Sequence, residues 1–414
     1  MLALPIRLIV GIHYLKSAYK IGDEGVVEAF MENGDWQYFL GYEDFQHTFP
    51  FDPSTLVRWR QWIGSETMEM LLGELLGSAQ RMNILKPSDI DIHRVTVDST
   101  VQEMAATFPT DGKLYNKGRE LLVEKAQEEG ITLRQAYFWL GPRASIMQGH
   151  YGRSRQYRRA QKEQKNLKNS FGRILHDVER KLTADQLPGW AGLLTFCHCI
   201  CDQKRKDKDK VYSFHAPEVE CIGKGKVHKS KIPPQAGKYE FGCKVCVLTT
   251  TRDNWVLGIQ TLHGNPYEVH TLAGAITQAE IMVDGVIETA FGDRGYRGHD
   301  YEGQEEVHLA GKKRISRNLK RWLNYRNSIE PVISQLKTGD GLDRNYLRGQ
   351  EGEWINAILA GCGFNFGKAY SPDAGGILSP IFFVPDFIQG RIVEIWQVTR
   401  TIDSWNRTVQ MQAA

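Results

Sequence analysis

Over residues 1–90, apolar side chains recur every three to four positions. Leu8, Ile12, Leu15 and Tyr19 share one helical face, and Glu24 to Met31 forms a second amphipathic run. Asp52-Pro53-Ser54-Thr55 is a helix-start signal that leads into Leu56 to Gly64; beyond that glycine a further helix is predicted over Glu66 to Leu76. Two short helices around a glycine read as a helix-turn-helix. They read equally as a plain helical hairpin, with Trp59 and Trp62 in a core and Arg58 and Arg60 in solvent.

The period then changes. Ile92-His-Arg-Val-Thr-Val-Asp98-Ser-Thr100 is β-branched and predicts a short strand ending in an acid. Helical spacing returns over residues 111–183, where Gln156 to Lys168 is polar nearly all round. Residues 203–240 are irregular, with a charge run from Gln203 to Lys210 and a Pro233-Pro234 break. Strand signals come back at Phe241 to Thr250 and Trp255 to Leu262, joined as a hairpin through Thr251 to Asn254. A helix follows around Val269 to Val283, then a strand from Gly285 to Gly292 that ends at Asp293. Helical patterns over residues 316–337 and 351–362 complete the readable part.

This order predicts an α/β protein. A mixed-sheet core over residues 91–370 carries a large, mainly helical and basic insertion at about 111–240. An all-α N-terminal domain over residues 1–90 precedes it, and residues 371–414 form a tail without assignment. A strand pair split by an insertion still sets its acids side by side at one end of the sheet, where loops build sites.

Composition narrows the picture. Hydrophobic content of 41% and charged content of 24% are ordinary for a soluble globular chain. The net charge of +3 does not by itself point to nucleic acid, but its distribution does: Arg153 to Lys181 holds ten Lys/Arg against three Asp/Glu, and Lys312 to Arg321 holds six bases and no acid. The apolar start, Met1 to Leu15, is too short to span a bilayer and carries Arg7 and His13, so no membrane segment is expected. Seven cysteines in a chain of this size fit a reduced cytoplasm better than a disulfide framework. Cys197, Cys199, Cys201, Cys221, Cys243 and Cys246 do not make a clean pair of CxxC knuckles, and Cys243 and Cys246 face opposite sides of a predicted strand, which argues against zinc.

The candidate chemistry lies in three acids. Asp98 and Asp293 are expected at strand ends, and Glu330 lies in Arg326-Asn-Ser-Ile-Glu330-Pro-Val-Ile-Ser-Gln-Leu-Lys337. Arg326, Glu330 and Lys337 fall on one face if a single helix spans them. Pro331 disfavours helical dihedrals at Glu330, so the helix is expected to kink or to restart there. Three carboxylates suit a pair of hard cations about 4 Å apart that share one phosphate. In that reading Asp98 bridges, Asp293 holds the first ion and Glu330 the second, while Arg326 and Lys337 meet phosphates. Gly292-Asp-Arg294-Gly-Tyr-Arg297-Gly298 adds two arginines between glycines that allow close backbone approach. Arg158, Arg159 and Lys162 are expected to lie along DNA from the polar helix.

Several blocks together resemble the DDE transposases of bacterial insertion sequences, group five and its relative, group four. They are Val95 to Thr100, Val211 to Lys226, Tyr239-Glu-Phe-Gly242, Gly292 to Gly298, Ser328 to Lys337, Asn345 to Gly349 and Gly363-Phe-Asn365. The resemblance covers roughly residues 1–370. It implies a ribonuclease H-like catalytic domain and an N-terminal domain that binds DNA. It further implies a catalytic, metal-binding triad of Asp98, Asp293 and Glu330, working with two Mg²⁺ ions for which Mn²⁺ can substitute. The implied partners are double-stranded DNA, as the element's terminal inverted repeats and as target, and a second copy of the chain in a synaptic dimer or larger assembly. The implied reaction is cleavage at the element ends and transfer of the 3′ ends to target DNA, by a cytoplasmic protein that associates with the nucleoid when DNA-bound. A catalytically inactive DNA-binding relic or repressor of the same element is the alternative. The family's Tyr-x2-Arg-x3-Glu-x6-Lys signature is met at Arg326, Glu330 and Lys337, with Leu323 at the Tyr position. Ser230 to Gly237 is an added segment, and residues 371–414 do not align; they read as a divergent extension or a frame-disturbed end.

Overall fold

The computed structural model describes residues 4–369 except 86–91, 205–206, 208–209, 224–238, 300–302, 304–305 and 312–313. The added segment at 230–237, the Pro233-Pro234 break, Lys312, Lys313 and the tail at 371–414 lie outside the described residues.

Four helices come first: α1 (Ile6–Ala18), α2 (Asp23–Glu32), α3 (Gly34–Phe39) and α4 (Ser54–Arg81). Their apolar period buries Leu8, Ile12 and Leu15, as expected. Asn33 caps α3, accepting the N–H groups of Asp35 and Trp36. Within α4, Gly64 has φ 73° and ψ 171°, so this run is two helices joined at a sharp break. An L side chain there would be strained, which is why glycine stands at the joint. Two details of the hairpin reading fail here: Trp62 is 39% exposed rather than in a core, and Arg60 is 3% exposed rather than solvated. Its two Nη atoms hold the carboxylate of Asp23 at 2.9 and 2.5 Å, and Lys16 Nζ meets the same carboxylate at 2.6 Å. A buried guanidinium is tolerated because both of its ends find charge.

The sheet is mixed. Strand β1 (Arg94–Met104) is followed, after a helical unit, by β2 (Glu220–Gly223), β3 (Tyr239–Thr250), β4 (Val256–Leu262), β5 (Thr289–Gly292), β6 (Glu306–Leu309) and β7 (Arg344–Asn345). The order is β2-β3-β1-β5-β6, with β4 also on β3 and β7 also on β1. The β1–β3 and β3–β4 pairs are antiparallel, whereas β5 runs parallel to β1 and β6 parallel to β5. The expected hairpin is present, turning through Asn254 at φ 56°. The expected end of the first strand is not. β1 continues to Met104 because β3 supplies partners as far as Glu103, so Asp98 sits mid-strand opposite Val247.

Gly242 shows why the Tyr-Glu-Phe-Gly block ends in glycine. Opposite Glu103, a Cβ at Gly242 would run into the Gln102 carbonyl oxygen, a backbone atom with no room to retreat. Gly242→Ala is expected to destabilise the fold by about 1–3 kcal/mol through overpacking. A denaturant titration that shows no shift in midpoint would contradict this.

The helical unit between β1 and β2 comprises α5 (Asp111–Glu128), α6 (Leu140–Arg153), α7 (Tyr157–Glu179) and α8 (Leu187–Asp202). It has its own core, centred on Leu122, Phe171, Ile174 and Trp190. The sheet's core instead combines β1, β3 and β4 with α1, α4, α9 (Leu272–Val283) and α12 (Gly349–Ala369). The N-terminal helices therefore pack into the same core as the sheet. Between β6 and β7 lie α10 (Arg317–Tyr325) and α11 (Ile329–Thr338), separated by a 3₁₀ turn at Arg326–Ser328. Among the described residues, no helix is long and apolar enough to cross a membrane.

Candidate active site

Asp98 is held in the central strand between buried Val97 and half-buried Ser99. Its Oδ1 accepts the Ser99 N–H at 2.8 Å, and its Oδ2 faces Arg326 Nη2 at 3.3 Å. Burial raises the Asp98 pKa above the ordinary aspartate value; the Ser99 N–H and Arg326 pull it down, and Asp293 and Glu268 push it up again. The net rise is set first by burial, which outweighs the Ser99 N–H and Arg326, with Asp293 and Glu268 adding to it.

Asp293 follows β5 as the sequence leads one to expect. It caps a 3₁₀ turn, Arg294–Tyr296, with Oδ1 accepting the Gly295 N–H at 2.5 Å. Strand β5 lies directly beside β1, which is how two acids far apart in the chain act on each other. The third acid of this group, Glu268, is absent from the sequence reading. It starts the 3₁₀ turn Glu268–His270 after β4, accepts Ser99 Oγ at 2.6 Å and lies 3.9 Å from Lys244 Nζ. Gly295 gives it space, since a Cβ there would collide with the Glu268 carboxylate. The only signal in the sequence is an acid at a helix start after Asn265-Pro266, a pattern that complements the backbone dipole anywhere.

Arg326 is 9% exposed and lies in the 3₁₀ turn, so the single helix joining Arg326, Glu330 and Lys337 is not formed. Helix α11 restarts at Ile329, which puts Glu330 and Pro331 in its first turn, where proline's missing N–H costs nothing. Ile329, Val332 and Leu336 face the core. Glu330 is exposed, and among the described residues it makes no hydrogen bond or ion pair. The structure thus brings together Asp98, Asp293, Glu268 and Arg326, while Glu330 stands exposed on the first turn of α11, four residues beyond Arg326 in the chain. Lys337 is half-buried near the far end of α11, and its carbonyl accepts Lys20 Nζ at 3.0 Å.

Arg294 and Arg297 flank Asp293 and are exposed, with Arg294 lying over Gly311. Arg158, Arg159 and Lys162 are exposed on α7, which belongs to the helical unit; Arg159 also sits 5.7 Å from the Tyr151 ring. The chemistry of such a donor set is oxygen-rich and under-neutralised. Carboxylates gathered around one partly buried aspartate are relieved by a hard divalent cation, which takes oxygen ligands.

Two family models match the chain: a transposase domain, DUF772, over residues 2–62, and a transposase DDE domain over residues 214–366. The chain belongs to the DDE transposases of insertion sequences. It is therefore a DNA transposase. The first match covers α1 to α3 and the first part of α4, and the second runs from just before β2 to near the end of α12. The transposase is also 43% identical over 151 residues to the uncharacterized protein ORF8 in the nfe locus of Rhizobium meliloti, an overlap of 36% of this chain and 72% of that one. No solved structure matches.

Proposed function

We propose that this transposase binds the terminal inverted repeats of its element, cleaves at the element ends and joins the 3′ ends to target DNA, using Asp98, Asp293 and Glu330 as ligands for two Mg²⁺ ions. The observation that carries this is the convergence of Asp98 and Asp293 from adjacent parallel strands, with Arg326 on Asp98. A central β1 with β3 antiparallel on one side and β5 parallel on the other supports a ribonuclease H-like core.

The residues fit the ions. Asp98 has one carboxylate oxygen oriented by a backbone N–H and one by Arg326, so it is aimed before metal arrives. Asp293 keeps Oδ2 clear of the Gly295 hydrogen bond, and Glu330 has no competing partner among the described residues. When bound, such ions lower the pKa of an attacking water or 3′-hydroxyl and stabilise the leaving oxygen. Arg326 offsets part of the carboxylates' charge and holds Asp98 in place. Arg294, Arg297 and Lys337 are assigned to phosphates around the scissile bond. Arg158, Arg159 and Lys162 are assigned to the duplex further out. Bringing two ends together calls for two or more copies of the chain on DNA in the cytoplasm.

The test is a strand-cleavage assay on DNA carrying the element ends, with Mg²⁺ or Mn²⁺. Asp98→Ala, Asp293→Ala and Glu330→Ala are each expected to abolish nicking while end binding persists. Pre-cut ends incubated with plasmid are expected to yield joined products in the wild type. Wild-type rates of cutting by all three variants would overturn the assignment, and cutting without joining would reduce the reading to a nuclease.

A further inference from the structure

A second cluster lies further along β1 and β3, toward the Met104 end of β1. It comprises Cys243 on β3, His263 just past β4 and Glu353 on α12, whose potential ligand atoms all lie within 4.8 Å of one another. Cys243 pairs across the sheet with Gln102, four positions along β1 from Asp98, or about 13 Å at the rise of a strand. The two clusters are therefore separate sites.

The spacing within this cluster is compatible with a metal centre. Cys243 Sγ lies 3.7 Å from His263 Nδ1, and His263 Nδ1 lies 3.3 Å from Glu353 Oε2. A tetrahedral Zn²⁺ with ordinary bond lengths holds sulfur and nitrogen about 3.6 Å apart, and nitrogen and oxygen about 3.3 Å apart. The second ring nitrogen, Nε2, sits 3.4 Å from Thr261 Oγ1, so the imidazole is oriented from behind with Nδ1 turned toward the cluster.

Charge points the same way. Glu353 is 1% exposed, and its Oε2 is buried, with His263 Nδ1 3.3 Å away but no well-formed hydrogen bond to it among the described residues. Burial first, then Glu218 and Glu220, push Glu353 up to about 8, while the Cys243 thiol draws it partly back down. Glu220 also has a buried Oε2 without a partner, while its Oε1 accepts the Gly264 N–H next to His263. A buried carboxylate facing two more carboxylates, a thiol and an imidazole, with no Lys or Arg on it among the described residues, suits a cation. Thiolate and imidazole donors select a borderline-soft ion over Mg²⁺.

We propose that Cys243, His263 and Glu353 bind one Zn²⁺ per chain, with Glu220 or a solvent molecule at the fourth position. The ion staples the end of the β3–β4 hairpin to α12. Helix α12 is already tied to β1 beside it, since Gln102 Nε2 donates to the Glu353 carbonyl at 3.1 Å and Asn356 Nδ2 donates to Gln102 Oε1 at 2.9 Å. A cation at this point would couple the last helix of the core to the sheet that carries Asp98. It would stabilise the folded chain by binding that state alone.

The experiment uses the full-length protein, stripped of metal with a chelator and titrated with Zn²⁺, then with Co²⁺ as a spectroscopic substitute. One equivalent of zinc is expected to be retained through gel filtration and to raise Tm, and Co²⁺ is expected to give a thiolate charge-transfer band with tetrahedral visible bands. Cys243→Ser should lose that band, and Glu353→Gln should bind zinc at least tenfold more weakly. Asp98→Asn combined with Asp293→Asn should leave zinc content unchanged. The proposal falls if wild-type protein shows no thiolate band, if the band survives in Cys243→Ser, or if zinc is lost with the two aspartates. Should the Cys243 variant fail to fold, the wild-type cobalt spectrum and zinc stoichiometry decide alone.

Discussion

Asp98→Asn is expected to lower Mg²⁺-dependent strand cleavage by at least about 10³-fold, equivalent to about 4 kcal/mol of lost transition-state stabilisation. The same change is expected to leave the folded protein as stable as wild type, or more so, at neutral pH. The two outcomes share one cause. Burial and the neighbouring carboxylates of Asp293 and Glu268 raise the Asp98 pKa despite Arg326 and the Ser99 N–H. A folded-state acid with a raised pKa binds its proton more tightly than the unfolded chain does. Its contribution to stability is then fully present below the unfolded value, near 4, and is lost as pH rises through the raised value. At pH 7 the ionised Asp98 is a liability to the apo fold, and a neutral amide of the same shape removes it. Near pH 3 both side chains are neutral and the difference in Tm should vanish. Calorimetry across this range checks the stability half, and the cleavage assay the catalytic half. A variant that cuts normally, or one that is strongly destabilised at pH 7, would mean that Asp98 is a structural residue and not a metal ligand.

How much of this was legible in the sequence depended on how local each determinant is. The β3–β4 hairpin was readable from alternation and turn residues within one stretch of chain, and the restart of α11 from Pro331 alone. The length of β1 was not. Residues 101–104 carry no β-branched run, and the strand extends because β3 lies beside it with matching partners. Arg60 looked like a surface base because its partner, Asp23, sits 37 positions earlier on another helix. Glu268 was missed for the same reason: what marks it is Ser99 and Asp98 across the sheet, not anything beside it in the chain. Cys243 was visible as a cysteine, but the local rule of paired knuckles pointed away from metal. His263 and Glu353 join it only through the packing of a strand, a hairpin end and a helix. Acids that follow strands in glycine-rich turns, such as Asp293, announce themselves. Acids that become partners through tertiary contact do not.

Helix α7 carries the other large effect. Reversing Arg158, Arg159 and Lys162 to glutamate is expected to weaken binding to any duplex by about three orders of magnitude at 0.1 M salt. Each phosphate neutralised on B-DNA contributes a slope of about −0.9 to log K against log salt, so each contact adds roughly eightfold at that ionic strength, and three contacts add about 500-fold before the repulsion of the new acids is counted. The helix is suited to this role by its construction. Leu167, Phe171, Ile174 and Val178 bury one face in the helical unit's own core, leaving Arg158, Arg159, Lys162, Lys165 and Lys168 exposed on the N-terminal turns. These bases have few internal commitments: Arg159 donates to Gln156 at 3.0 Å, and Arg158 and Lys162 make no ion pair among the described residues. A solvated face would tolerate the substitutions with no change in affinity. A DNA-facing one should lose affinity equally for end and non-end sequences, and its salt slope should flatten by about 3. Fluorescence anisotropy with two unrelated duplexes, titrated from low to high salt, separates the cases. An unchanged slope would take α7 off the DNA, whatever the acids at Asp98 and Asp293 do.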